Sequence, residues 1–180
     1  MRLLPLTSAL LTLPVSVQAA DYLSVEAAQK LMFPAADSFV VQDVLMDAAL
    51  VQKLKAPAVS ALAQGHLRLV SARLGAQALG LVVVDEVIGK YERIRFAVGI
   101  NADGTVRQVE ILSYRESHGG EVRLPAWRKQ FAGKRATAAL QVGEDIANIS
   151  GATLSCSHIT DGVRRIVTAV AALQAAGKLA

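Results

Sequence analysis

Apolar and polar positions alternate, cluster and then change period along this chain, and the changes mark out its elements. Ser24 to Leu31 reads as a short helix, with Ser24 as its cap and Glu26 in its first turn, stopped by Phe33-Pro34. Ser38 to Val44 reads as a strand, and Asp47 to Lys55 as a helix ended by Pro57. Ala58 to Gln64 fits neither period. Four strands follow. His66 to Ala72 alternates imperfectly, with Val70 out of step, and Ala78 to Val87 is an apolar run that fits a strand buried on both faces. Arg93 to Ile100 puts Ile94, Phe96, Val98 and Ile100 on one face and Arg93 and Arg95 on the other. Thr105 to Tyr114 sets Val109 and Ile111 against Gln108 and Glu110. Asn101-Ala102-Asp103-Gly104 joins the last two as a hairpin turn, with glycine where φ must be positive.

The period then lengthens. Pro125 to Phe131 reads as a short helix with proline at its start. Ser157 to Ala175 is the clearest helix, with Ile159, Val163, Ile166, Val167, Val170 and Leu173 on one stripe, flanked by Arg164 and Arg165. The fold class these elements predict is α+β: an antiparallel sheet of four or five strands with helices packed on it and a long C-terminal helix.

The first residues follow a different logic. Met1-Arg2 is a basic start, Leu3 to Val17 is apolar and interrupted by Pro5 and Pro14, and Val17-Gln18-Ala19 supplies the short residues a signal peptidase reads. We expect residues 1–19 to be a cleaved signal peptide and residues 20–180 the mature domain. A retained membrane anchor is the rival, but the apolar run falls short of the ~20 residues a spanning helix needs. The formal net charge is +4, which drops by one to +3 when Arg2 leaves with the leader. The basic residues are scattered, and four Phe, three Tyr and one Trp make a poor stacking platform. No nucleic-acid partner is expected. Cys156 is the single cysteine, so the chain has no internal disulfide, and a small buried apolar residue is its ordinary role. No pair of His or Cys has metal-site spacing, and no Gly-x-Ser-x-Gly elbow marks a hydrolase.

Candidate chemistry concentrates in Asn148-Ile149-Ser150-Gly151-Ala152-Thr153-Leu154-Ser155, just ahead of the long helix. Small residues let a ligand approach the backbone, and helix-start amides are unpaired and partly positive, which suits a phosphate. Ser150, Thr153 and Ser155 offer three hydroxyls that a phosphoester could use. On local chemistry alone an ordinary helix cap is the favoured account of them.

Ser150-Gly151-Ala152-Thr153 followed by Leu154-Ser155 resembles the flavinylation motif of the FMN-binding domain family, which includes flavin subunits of the sodium-pumping NADH:quinone reductase and of the Rnf complex. A second block extends the resemblance: Glu116-Ser117-His118-Gly119-Gly120, then Trp127, Gln130-Phe131 and Gly133-Lys134. The similarity runs from about Leu79 to Val170. It implies covalent FMN on Thr153, attached by a separate flavin transferase with FAD as donor and a divalent metal. It also implies a pocket drawing on Ser150, Gly151, Ala152, Leu154, Ser155, Glu116, His118 and Gly119. The family pattern has an aspartate three residues before the motif serine, where this chain has Ala147; Asp145 is the nearby substitute.

His118 reads either as a neighbour of the flavin or as a solvated turn residue, and His158 as a surface residue. Asp85-Glu86 before Gly89-Lys90 reads as a polar loop at a strand end rather than a pocket edge. The implied function is a periplasmic electron carrier, at or near the inner membrane, served by membrane or periplasmic redox partners. The resemblance implies an electron-transfer flavoprotein rather than a stand-alone enzyme. A non-covalent FMN-binding or partner-docking module of a membrane redox complex is the alternative.

Overall fold

The structure, a computed structural model, describes residues 20–53 and 65–179. The expected leader and the ambiguous stretch 58–64 lie outside the described residues. The elements run β1 (Ala20–Asp21), α1 (Val25–Met32), β2 (Ser38–Leu45), α2 (Ala48–Lys53), β3 (His66–Leu74), β4 (Gln77–Ile88), β5 (Arg93–Asn101), β6 (Val106–Tyr114), α3 (Pro125–Arg128) and α4 (Thr153–Ala175). Two 3-10 turns, Gly120–Arg123 and Lys129–Phe131, flank α3.

The fold is α+β, as the pattern predicted. Its sheet is antiparallel throughout, in the order β1-β6-β5-β4-β3-β2. The strand missing from the sequence reading is β1. It has two residues, paired with Ser113 and Tyr114, too few for any period to show. Gly104 turns the β5–β6 hairpin at φ +81°, and Asp103 accepts hydrogen bonds from the Thr105 amide and hydroxyl.

Alternation on the strands builds two cores. Phe96, Val98 and Ile100 of β5 join the larger cluster with Ile159, Val163 and Ile166 of α4, while Ala97 joins the smaller one with Ala28, Met32 and Phe33 around α1. Burial of each large side chain stabilises by about 1.5–3 kcal/mol. Helix α1 starts where Ser24 accepts from the Ala27 amide and ends at Phe33, as predicted. In front of α2, the Asp47 carboxylate accepts from the Leu50 amide.

Two expectations need correction. The long helix begins at Thr153, four residues before Ser157. Ala152 and Cys156 continue its buried stripe, but their small side chains hid the period. Arg165 does not flank that stripe; it is 4 % exposed and bonds the buried Asp85 carboxylate at 2.7 Å. Asp85 is therefore part of the interior and not of a polar loop. Helix α4 sits close enough for this because it has Gly162 at the crossing, where a Cβ would lie 2.6 Å from Phe96 Cζ.

Candidate functional site

A cleft of about 270 Å3 opens where three segments meet: Lys90 and Tyr91 of the β4–β5 turn, Glu116 to His118 after β6, and Gly151 to Ser155 at the start of α4. Most of the sequence-predicted residues are brought together here. Ser150 is exposed and does not line the cleft, and Gly119 supports it from the side.

The start of α4 is open by construction. Gly151 takes φ +81°, which glycine adopts without strain. The Ala152 amide donates to Ile149 at 3.0 Å, and the first helical bond runs from the Cys156 amide to the Ala152 carbonyl. Among the described residues no side chain caps the helix. The amides of Thr153, Leu154 and Ser155 therefore face outward with the positive end of the helix dipole. That disposes of the helix-cap account of the three hydroxyls.

Those hydroxyls have different fates. Ser155 is 4 % exposed, with its Oγ 3.1 Å from the Tyr114 hydroxyl. Tyr114 donates its one proton to the His118 carbonyl at 2.5 Å, so Ser155 is the donor to Tyr114 and its proton is spent. Thr153 is the first residue inside the helix, where the sequence placed it ahead of the helix. It is exposed in the cleft wall, and its Oγ1 accepts from Asn148 Nδ2 at 3.1 Å, which leaves its own proton free.

The two motif blocks interlock. A Cβ on Gly119 would stand 2.5 Å from Ala152 Cβ and 2.8 Å from the Tyr114 hydroxyl, so this turn rests directly on the small-residue loop. The later part of the second block works at a distance from the cleft. Trp127 Nε1 donates to the Ala147 carbonyl and Gln130 Oε1 accepts from the Ala147 amide, both at 2.8 Å. These bonds fix the approach to Thr153 through the backbone. Asp145 is committed elsewhere: it pairs with Lys134 at 2.8 Å and accepts from the Leu140 and Gln141 amides. It is not free to replace the aspartate missing at Ala147.

Glu116 reaches the β4–β5 turn. Its Oε1 accepts from the Tyr91 amide at 2.7 Å and the Glu92 amide at 3.0 Å. Gly89 makes the approach possible, since a Cβ there would lie 2.4 Å from that oxygen. Burial pushes the Glu116 carboxyl up, but the amides of Glu92, Tyr91 and Lys90 and the Lys90 charge outweigh it and hold the group below the ordinary carboxylate range. The His118 ring stays exposed, with Nδ1 3.0 Å from Ser117 Oγ. His158 is half-buried and bonds the Ile88 carbonyl, so it ties α4 to the base of the same turn. Cys156 is fully buried, and burial raises its thiol.

Sequence reasoning missed Lys90, Tyr91, Ser117 and Tyr114. Taking Asp85-Glu86 before Gly89-Lys90 as a polar loop passes over Lys90, which forms part of the cleft wall. The signal available was Tyr91 itself, a large aromatic set between Lys90 and Glu92 in a turn. Such residues on exposed turns point to binding more often than to packing.

The sequence profile of the FMN-binding domain family matches residues 89–168, a span that takes in every residue lining the cleft. No curated protein matches the chain.

Proposed function

Because residues 89–168 match the FMN-binding domain family, we propose that this chain is a periplasmic electron carrier whose FMN is held by a phosphoester to Thr153. The observation that carries the reading is the sorting of the hydroxyls. Of the three in the motif, Thr153 has the one that is exposed in the cleft, keeps its proton and stands on uncapped helix amides, while Ser155 is locked to Tyr114 and Ser150 lies outside.

The residues present fit the group. The open amides at the start of α4 suit a phosphate. The cleft, about 270 Å3 and open to solvent, lies at the low end of the ~300–1,000 Å3 of pockets that bury a drug-sized ligand. FMN seated here keeps part of itself outside, which weakens non-covalent retention and favours a tether. The same exposure suits a carrier, because a partner can approach the ring directly. FMN supplies the redox chemistry; the protein holds and orients it and needs no acid–base pair of its own. In maturation, Thr153 Oγ1 loses its proton and bonds phosphorus, the pyrophosphate bond of FAD breaks, and AMP leaves. A flavin transferase is the implied maturation partner, with membrane or periplasmic redox proteins as electron partners. The basic, apolar and small-residue order of residues 1–19 supports export.

Co-expression with a flavin transferase followed by a denaturing gel tests the proposal. Flavin fluorescence that migrates with the chain is the expected result. Flavin released by denaturant would favour the non-covalent module, and no flavin before denaturation would favour a partner-docking role.

A further inference from the structure

Tyr91 is 74 % exposed, an unusual state for a large aromatic ring, and it forms part of the wall of two recesses. One is the cleft that holds Thr153. The other is a polar groove of about 850 Å3 beside β1 and α1. The turn beneath the ring is firmly set despite that exposure. Glu116 receives its Tyr91 and Glu92 amides, and the Gly89 amide closes the turn on the Glu92 carbonyl at 2.8 Å. The Lys90 ammonium lies 4.9 Å from the centre of the Tyr91 ring. A rigid turn thus presents an exposed aromatic ring, with a cation over one face and the other face open, at the edge of the cleft.

Resting on the tethered-FMN reading, we propose that the β4–β5 turn is the wall against which the cofactor's isoalloxazine ring docks. Tyr91 is the stacking platform, Lys90 places positive charge beside the ring, and Glu116 is a positioning residue that fixes the turn. An aromatic pair favours the docked ring by about two- to tenfold. Stacked flavin is quenched and held in a chiral setting; undocked flavin on its tether is neither. Reduction adds negative charge to the ring, so a nearby ammonium raises the reduction potential.

The test uses the full chain flavinylated by a co-expressed transferase, with each variant read on the fraction that intact mass shows to carry FMN. Tyr91→Ala is expected to raise flavin emission by about two- to tenfold and to abolish its visible circular dichroism, while Tyr91→Phe, which stacks but donates no electron to excited flavin, keeps the dichroism. Glu116→Ala should reproduce much of the Tyr91→Ala signature and Glu116→Gln should not, because the amide oxygen still accepts from the turn. Lys90→Gln should lower the potential without freeing the ring. Unchanged emission and dichroism in labelled Tyr91→Ala would overturn the docking wall and leave the tether standing. A Tyr91→Ala chain that accepts no flavin while Tyr91→Phe does would also overturn it, by making the turn a recognition element for the transferase. A parent chain without flavin would overturn the tether, and the docking wall with it.

Discussion

The first turn of α4 and its middle belong to one helix and follow opposite rules. At the middle, Gly162 lets the helix down onto Phe96, and Arg165 reaches through the interface to Asp85, with side chains 3 % and 2 % exposed. At the start, no side chain among the described residues caps the amides, and the Thr153 hydroxyl is exposed with a proton to give. Burial and pairing secure the middle, so the start can stay unsatisfied without loss of the fold. Open donors and spare hydroxyls are what a ligand site needs, and a helix tolerates them where the rest of it is anchored.

Breaking the middle should have the largest effect. Asp85→Ala leaves the buried Arg165 guanidinium without its carboxylate, and Arg165 Nε and Nη1 already have no hydrogen-bond partner among the described residues. We expect a loss of about 3–5 kcal/mol in denaturant melts. The paired replacement Asp85→Leu with Arg165→Met should recover most of it, because two charges no longer have to be desolvated. A double variant as unstable as the single would mean that the pair stabilises beyond mutual compensation.

Two glycines at the start sharpen the contrast. Gly119 and Gly151 have nearly the same φ, +80° and +81°, but a Cβ meets Ala152 at 2.5 Å in the first case and nothing within 4 Å in the second. Gly151→Ala should cost the backbone strain alone, about 1–2 kcal/mol. Gly119→Ala should cost about 1–3 kcal/mol more through overpacking, and should slow flavin attachment because it displaces Ala152. Equal losses in thermal melts would show that the interlock between the two blocks is slack.

A smaller effect is expected from pH. The Glu116 carboxyl lies below its ordinary value in the folded chain. Its contribution is therefore complete above the unfolded carboxylate value, about 4.3, and is lost as pH falls through the lower folded value. The parent should lose stability more steeply than Glu116→Gln below that point and track it above. Parallel curves down to acid unfolding would remove Glu116 from the account of the turn.

Much of this was legible in the residues. Strand alternation on β5 and the stripe on α4 gave the sheet and its covering helix, because large apolar side chains write their period plainly. The motif loop and the Glu116–Gly119 block were readable as chemistry from their small residues and their place before a helix. The true start of α4 was not, since Ala152 and Cys156 are too small to extend a visible stripe. Nor was the buried Asp85–Arg165 pair, because a charged residue beside an apolar stripe ordinarily faces water. The separation of Ser155 from Thr153 depends on Tyr114, 41 positions upstream of Ser155 and brought to it by the sheet. Local sequence treats the two hydroxyls alike; tertiary contact tells them apart.

That separation is the claim to test most directly. The measurement is intact mass of the parent, Thr153→Val, Ser150→Ala and Ser155→Ala, each co-expressed with a flavin transferase. The account predicts one added FMN phosphoryl mass on the parent, Ser150→Ala and Ser155→Ala, and none on Thr153→Val, whose fold survives because the lost hydroxyl makes one exposed hydrogen bond to Asn148. Full labelling of Thr153→Val, with loss of the added mass in Ser155→Ala or Ser150→Ala, would contradict it.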